Sequence, residues 1–382
     1  MIESVMEFGG SRQEAIRGLL RSLLEKGVVD AWLVPMALPG GAVAPSLVTD
    51  TAALERPEPL APVLPINAAR AVSQLTMTAH KEKLGVVLRS CEIRALVELV
   101  KFQQASLEGV LVVGIDCPGT YGVAEWQAAA DKEQALEALL AGAAVGQPVP
   151  GEGLAFRAAC EMCAEPLPAG EHVGLAVGLV GVAPGQLYLR LREDVAEALG
   201  PLGPLGPLSL PVGSAPAGRE AAVGKLLAGR KAGREAALAG FRGRVSSMEG
   251  LLAELGACVR CHNCMVNCPI CYCRECIFRT PTFEHESQLY YQWAERKGTV
   301  RMLSDTLLFH LTRLNHMATS CVGCGVCSEA CPVGIEVGTV FQAVGEKVQA
   351  LFDYHPGRSL GEAAPVQEFR EEELTSLGER PR

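Results

Sequence analysis

Eight cysteines stand in two runs of one spacing. Cys258, Cys261, Cys264 and Cys268 precede Pro269, and Cys321, Cys324, Cys327 and Cys331 precede Pro332. Each run reads C-x2-C-x2-C-x3-C-P. Thiolates at i, i+3 and i+6 can wrap three corners of a [4Fe-4S] cube, while the fourth, turned away at the proline, reaches a second cube. Thiolate is the soft ligand that such clusters take. The spacing therefore predicts crossed ligand sets: Cys258, Cys261, Cys264 and Cys331 for one cluster, and Cys321, Cys324, Cys327 and Cys268 for the other. Zinc is the alternative occupant of four thiolates, but it is usually held by two C-x2-C pairs rather than by a run of four.

Of the remaining cysteines, four are dispersed. Cys91 follows an apolar stretch, Val86-Val87-Leu88, and opens a helix; Cys117 follows Val110 to Asp116; Cys160 and Cys163 form a C-x2-C pair. If the two apolar stretches are neighbouring strands, their thiols come close, and the helix N-terminus behind Cys91 favours its thiolate. Four thiols complete one more [4Fe-4S] cluster. They could equally be four small buried side chains. Cys271, Cys273 and Cys276 are too few to hold a cube alone; they could complete a further site with an outside ligand, tune a neighbouring cluster, or pack as buried thiols.

The turn Gly9-Gly10-Ser11 precedes a helix and leaves backbone N–H groups that could hold a cofactor phosphate, or is an ordinary capped turn. Ser11 and Glu14 form a capping box, and Ala15/Ile16, Leu19/Leu20 and Leu23/Leu24 repeat on one face. Val28 to Leu38 reads as a strand. Asn67 caps a second helix. Residues 85–90, 91–105 and 110–115 read strand, helix, strand, a βαβ unit that implies a parallel sheet. Ligands collect outside the carboxyl ends of such strands. Val173 to Val182 suits another buried strand.

The passage Gly200 to Gly218 is dense in proline and glycine and marks a linker. Residues 219–257 read as helix broken near Gly240 to Gly243. Leu303, Leu307, Leu311 and Leu314 recur at helical spacing between the cysteine runs, and a helix over 339–352 follows the second. His310 and His316 read as ordinary helix residues. The organisation expected is an α/β domain over 1–199 with a mainly parallel sheet, a linker over 200–218, an α-helical dicluster ferredoxin domain over 219–356, and a mobile tail over 357–382.

At 382 residues with 49% hydrophobic content, the chain is globular. A net charge of −9 argues against nucleic acid or an anionic membrane as partner. No apolar run reaches spanning length, so direct membrane insertion is not expected. Fifteen cysteines, eight of them in ligand runs, and an N-terminus without a basic and then apolar leader point to the reducing cytoplasm. No His, Asp or Ser constellation for acid–base or nucleophilic catalysis is visible.

Gly9-Gly-Ser-Arg, Glu25-Lys-Gly-Val-Val-Asp30, Arg89-Ser-Cys91-Glu-Ile-Arg, Gly114-Ile-Asp-Cys117-Pro-Gly-Thr-Tyr121 and Cys160-Glu-Met-Cys163, in that order, resemble the beta subunits of coenzyme F420-dependent hydrogenases and dehydrogenases, with formate dehydrogenase beta subunits the nearest branch. The helical module resembles the C-type subunit of heterodisulfide reductases. The resemblance implies a flavoprotein-like first domain carrying FAD, with its phosphates near Gly9, Gly10 and Ser11, and a third cluster on Cys91, Cys117, Cys160 and Cys163. The function expected is an electron-transfer subunit. It would link a hydride carrier, coenzyme F420 or nicotinamide, to a formate dehydrogenase, hydrogenase or heterodisulfide reductase-like partner. The alternative is a flavin-free iron–sulfur adaptor that docks redox partners.

Overall fold

The structure, a computed structural model, describes residues 1–78, 82–199, 202–203, 206–207, 215–284, 286–298, 302–303 and 305–368. Most of the linker and residues 369–382 lie outside the described residues. One seven-stranded sheet runs in the order β1-β7-β6-β5-β4-β2-β3. Its strands are β1 (Ile2–Glu7), β2 (Ala31–Ala37), β3 (Val43–Val48), β4 (Leu84–Arg89), β5 (Val110–Ile115), β6 (Val173–Gly178) and β7 (Gln186–Leu191).

The four central strands β2, β4, β5 and β6 are parallel. Every residue of β4 is buried, as a strand covered on both faces requires. The flanks are antiparallel: β3 pairs with β2, and β7 with both β6 and β1. A mainly parallel sheet therefore describes the centre alone, and the sheet as a whole is mixed. The connections from β2 to β3 and from β6 to β7 are too short for a helical crossover, so each strand must return beside its predecessor.

Helices α1 (Arg12–Glu25), α2 (Ala69–Thr76), α3 (Ser90–Lys101), α4 (Val123–Ala128), α5 (Lys132–Ala144), α6 (Ala158–Glu161) and α7 (Glu193–Leu199) accompany the sheet. The capping box of Ser11 and Glu14 opens α1, whose Ile16, Leu19, Leu20 and Leu23 pack with Trp32, Val87, Val113 and Val177 on one face. On the other face, α2 and α3 bury Val72, Ile93 and Leu96 against Leu33, Val86 and Val112.

Residues 215–368 are helical where regular: α8 (Arg219–Arg244), α9 (Met248–Leu255), α10 (Asn263–Val266), α11 (Ser287–Lys297), α12 (Thr306–Met317), α13 (Val326–Glu329) and α14 (Val337–Leu351). The break expected near Gly240 to Gly243 falls later, between Arg244 and Met248, where Ser247 caps α9 through the amide of Gly250. Each helical glycine costs about 1 kcal/mol against alanine, too little to stop a helix held by tertiary contacts. One such contact is the 2.6 Å hydrogen bond from Arg234 to Gln342 of α14.

α8 also crosses the carboxyl end of the sheet. Arg219 pairs with Asp116 at 2.8 Å, and the same carboxylate accepts the amides of Leu179 and Val180. Below α3 the chain end docks. Glu98, with no exposed surface, accepts from Lys101 at 3.1 Å, Tyr354 at 2.6 Å and the amide of Gly357 at 2.9 Å. The tail expected to be mobile from Gly357 is thus seated at least to Gln367, whose side chain donates to the carbonyl of Lys101. A buried carboxylate needs these donors, and the acidic look of the tail hid that it supplies them.

Candidate functional site

The two cysteine runs fold alike. Arg260 (φ 56°) and Gly323 (φ 70°) hold equivalent left-handed positions, as do His262 (φ 59°) and Gly325 (φ 70°), and each run then enters a single-turn helix, α10 or α13. Such turns bring backbone N–H groups toward one centre. The amide of Arg260 lies 3.4 Å from Cys258 Sγ, and that of Gly323 faces Cys321. A left-handed non-glycine costs about 1–2 kcal/mol. Arg260 is held by a 3.0 Å bond to the carbonyl of Phe283 and by Asp305, and His262 stacks on Phe309 at 4.6 Å. At Gly325 a Cβ would meet Cβ of Ala159 at 2.2 Å, so the second run has no room for a side chain.

The fourth thiol of each run stands among the first three of the other. Cys331 neighbours Cys258 and Cys264, which also neighbour Cys261. Cys268 shares with Cys321, Cys324 and Cys327 the wall of one small cavity. Burial pushes the Cys268 thiol up to about 12 and that of Cys321 to about 11, and it lifts Cys327 well above the ordinary value. Thiols this deep ionise only against a compensating charge such as a metal.

The dispersed four converge as well. Because β4 and β5 are adjacent and parallel, Cys91 at the start of α3 and Cys117 beyond β5 emerge side by side. With Cys160 and Cys163 they line one small cavity, and Cys324 of the second run lines it too. Thr120 Oγ1 is 3.1 Å from Cys160 Sγ. Burial, then the charge of Glu92 and the neighbouring thiols, raise Cys91 well above the usual thiol range. Glu92 spends its carboxylate on that terminus, accepting the amide of Arg89 at 2.8 Å.

Among the described residues no three His, Cys, Asp or Glu side chains are gathered tightly enough for a single metal ion. Cys271, Cys273 and Cys276 neighbour one another, with Cys273 exposed and Cys271 turned toward Cys268. Between them Tyr272 packs on Phe102 at 5.3 Å, tying this loop to the α/β layer.

Three side chains that the sequence reading passed over touch these sites. His310, read as an ordinary helix residue, is 2% exposed, lies 3.5 Å from Cys258 Sγ, and is pushed down to about 4 by burial. His316 is exposed in the last turn of α12. Arg313 donates to Cys264 Sγ at 3.1 Å, and Arg157 donates to the carbonyl of Cys324 at 2.6 Å. The available signal was an arginine on the apolar face of α12, one turn from Phe309 and Met317.

In the structure the glycine turn is a capped helix start. Ser11 N donates to Glu14 Oε2 at 3.0 Å and Ser11 Oγ accepts from Glu14 N at 3.2 Å, so a carboxylate already occupies the position an anion would take. A Cβ at Gly10 would lie 2.6 Å from that oxygen, while Gly9 has open space around it.

Residues 254–335 match the 4Fe-4S dicluster domain. The chain is 25% identical over 369 residues to the beta subunit of the F420-dependent formate dehydrogenase of Methanocaldococcus jannaschii, covering 90% of this chain and 91% of that one. It is 24% identical over 384 residues to the beta subunit of F420-dependent formate dehydrogenase 1 of Methanococcus maripaludis, covering 92% and 94%. A chain from the F420-reducing [NiFe] hydrogenase complex of Methanosarcina barkeri matches at 12% identity and TM-score 0.41, over 65% of this chain and 94% of that one. The resemblance to formate dehydrogenase beta subunits thus extends over nearly the whole chain. Among the described residues no helix is long and apolar enough to cross a membrane.

Proposed function

We propose that this protein is the iron–sulfur electron-transfer subunit of an oxidoreductase complex of the kind named for its relatives, an F420-dependent formate dehydrogenase. The supporting observation is that two cysteine-lined cavities adjoin, with Cys324 in the walls of both. In this reading Cys91, Cys117, Cys160 and Cys163 hold one [4Fe-4S] cluster, Cys268, Cys321, Cys324 and Cys327 the next, and Cys258, Cys261, Cys264 and Cys331 the last. A cluster so held takes up or releases one electron at a time. The loops keep the sulfurs at fixed positions, the buried walls exclude water, and the exchange of Cys268 and Cys331 locks the two runs together.

One end would meet a formate-oxidising partner subunit and the other a two-electron carrier such as coenzyme F420, and the step from a hydride to single electrons would need a flavin, which accepts two electrons and releases them one at a time. Anaerobic purification with iron and sulfide counts tests the reading. About twelve irons per chain fit three clusters, about eight fit the paired runs alone, and fewer than about eight reject it.

The closure of the Gly9-Gly10-Ser11 turn by Glu14 favours a second reading, a flavin-free iron–sulfur adaptor. No step is assigned to a flavin at that turn. Acid extraction and fluorescence of the anaerobically purified chain, with and without added FAD, separates the two: bound flavin removes the adaptor.

A further inference from the structure

Arg313 is 4% exposed, and among the described residues no carboxylate lies within ion-pair distance of it and its Nε has no hydrogen-bond partner. It is flanked instead by both thiol sets. Nη1 lies 3.1 Å from Cys264 Sγ and Nη2 3.1 Å from the carbonyl of Cys264, on the first-run side. The same side chain lines the cavity of Cys268, Cys321, Cys324 and Cys327. Phe309 and Phe341 sandwich the guanidinium, their ring centroids 5.4 and 4.9 Å away. A guanidinium taken from water without a counter-charge costs several kcal/mol. The negative charge within reach is that of the thiolates and whatever they hold.

We propose that Arg313 is a shared positioning cation between the two exchanged quartets and holds the reduction potentials of both clusters up. The inference rests on the reading that the paired quartets carry [4Fe-4S] clusters. Reduction adds one electron and no proton to a cluster that is already negative, so a fixed positive charge stabilises the reduced form, and hydrogen bonds to sulfur act in the same direction. One cation facing two clusters raises both together.

Arg157 provides an internal comparison at the other junction. It is buried beside Cys160, Cys91 and Cys324, but Glu329 stands 3.7 Å from it and Thr120 Oγ1 accepts from it at 3.3 Å. Its charge is largely met within the protein, and Arg157→Gln shifts potentials less than the change at 313.

The test is an EPR-monitored redox titration of the full chain, loaded anaerobically, as wild type, Arg313→Gln, Arg313→Met and Arg313→Lys, with iron and sulfide counted on each. The expected result, at wild-type iron content, is that either neutral variant moves both paired potentials to more negative values. The cluster of Cys91, Cys117, Cys160 and Cys163 stays in place, and lysine restores most of the shift. Unmoved potentials in a fully loaded neutral variant overturn the proposal, as does a lysine variant as low as the neutral ones. Loss of iron from both neutral variants makes Arg313 a folding residue and overturns it too. Fewer than about eight irons in the wild type instead rejects the cluster reading itself.

Discussion

Cys268, the last thiol of the first run, and Cys327, the third of the second, face the same cavity. Ligands of one cluster fail together. Cys268→Ala and Cys321→Ala should each remove about four irons, and the double variant no more than either alone. Cys268→Ala with Cys258→Ala should instead remove about eight, because the two thiols belong to different sites. Iron and sulfide counts on anaerobic preparations check both, and an additive Cys268/Cys321 pair would refute the exchange.

Gly325 carries a left-handed φ against Ala159, while its counterpart His262 carries the same conformation with a side chain. Gly325→Ala should cost about 1–2 kcal/mol from the backbone alone, and more from the contact with Ala159. His262→Gly should cost the lost stacking on Phe309 without a comparable clash. Anaerobic thermal denaturation of the loaded chain compares the two, with the alanine variant expected to melt lower and to lose iron first.

Glu98 holds the chain end through Tyr354, Gly357 and Lys101. Tyr354→Phe removes one donor from a buried carboxylate and should cost about 1–3 kcal/mol. Glu98→Ala leaves Lys101 buried without its partner and should cost about 3–5 kcal/mol. Urea denaturation measures both. Limited proteolysis should cut residues 353–368 faster in either variant than in the wild type.

His172, at the start of β6, is buried with both ring nitrogens lacking a hydrogen-bond partner among the described residues, and burial lowers its pKa below the ordinary 6.5. The unfolded chain then takes up a proton that the folded chain refuses. The associated stability is fully present above about pH 6.5 and is lost as pH falls below it. The urea midpoint of the wild type should drop between neutral and acidic pH more than that of His172→Leu. Parallel pH profiles of the two would exclude His172 as the source.

Much of this architecture is readable in one dimension. The capping box of Ser11 and Glu14, the buried run of β4 and the apolar face of α1 follow from local spacing, and the structure has each where the pattern places it. The antiparallel flanking strands β1, β3 and β7 escaped because their alternation is short and their partners lie across the sheet. The docked chain end escaped because its anchor, Glu98, lies on a different helix far back in the chain.

The sequence by itself determined the chemistry, since thiol spacing sets the shape of a loop through bonds and turns between close neighbours, and matched spacings gave matched left-handed turns at 260/323 and 262/325. Only the tertiary structure decided how the sites relate: that Cys324 borders the dispersed four, and that Arg313 stands between two quartets with no carboxylate among the described residues to pair with it. The physical reason is that electrostatics and exclusion of water depend on which groups are packed together, and packing joins residues whose separation along the chain carries no information about their distance in space.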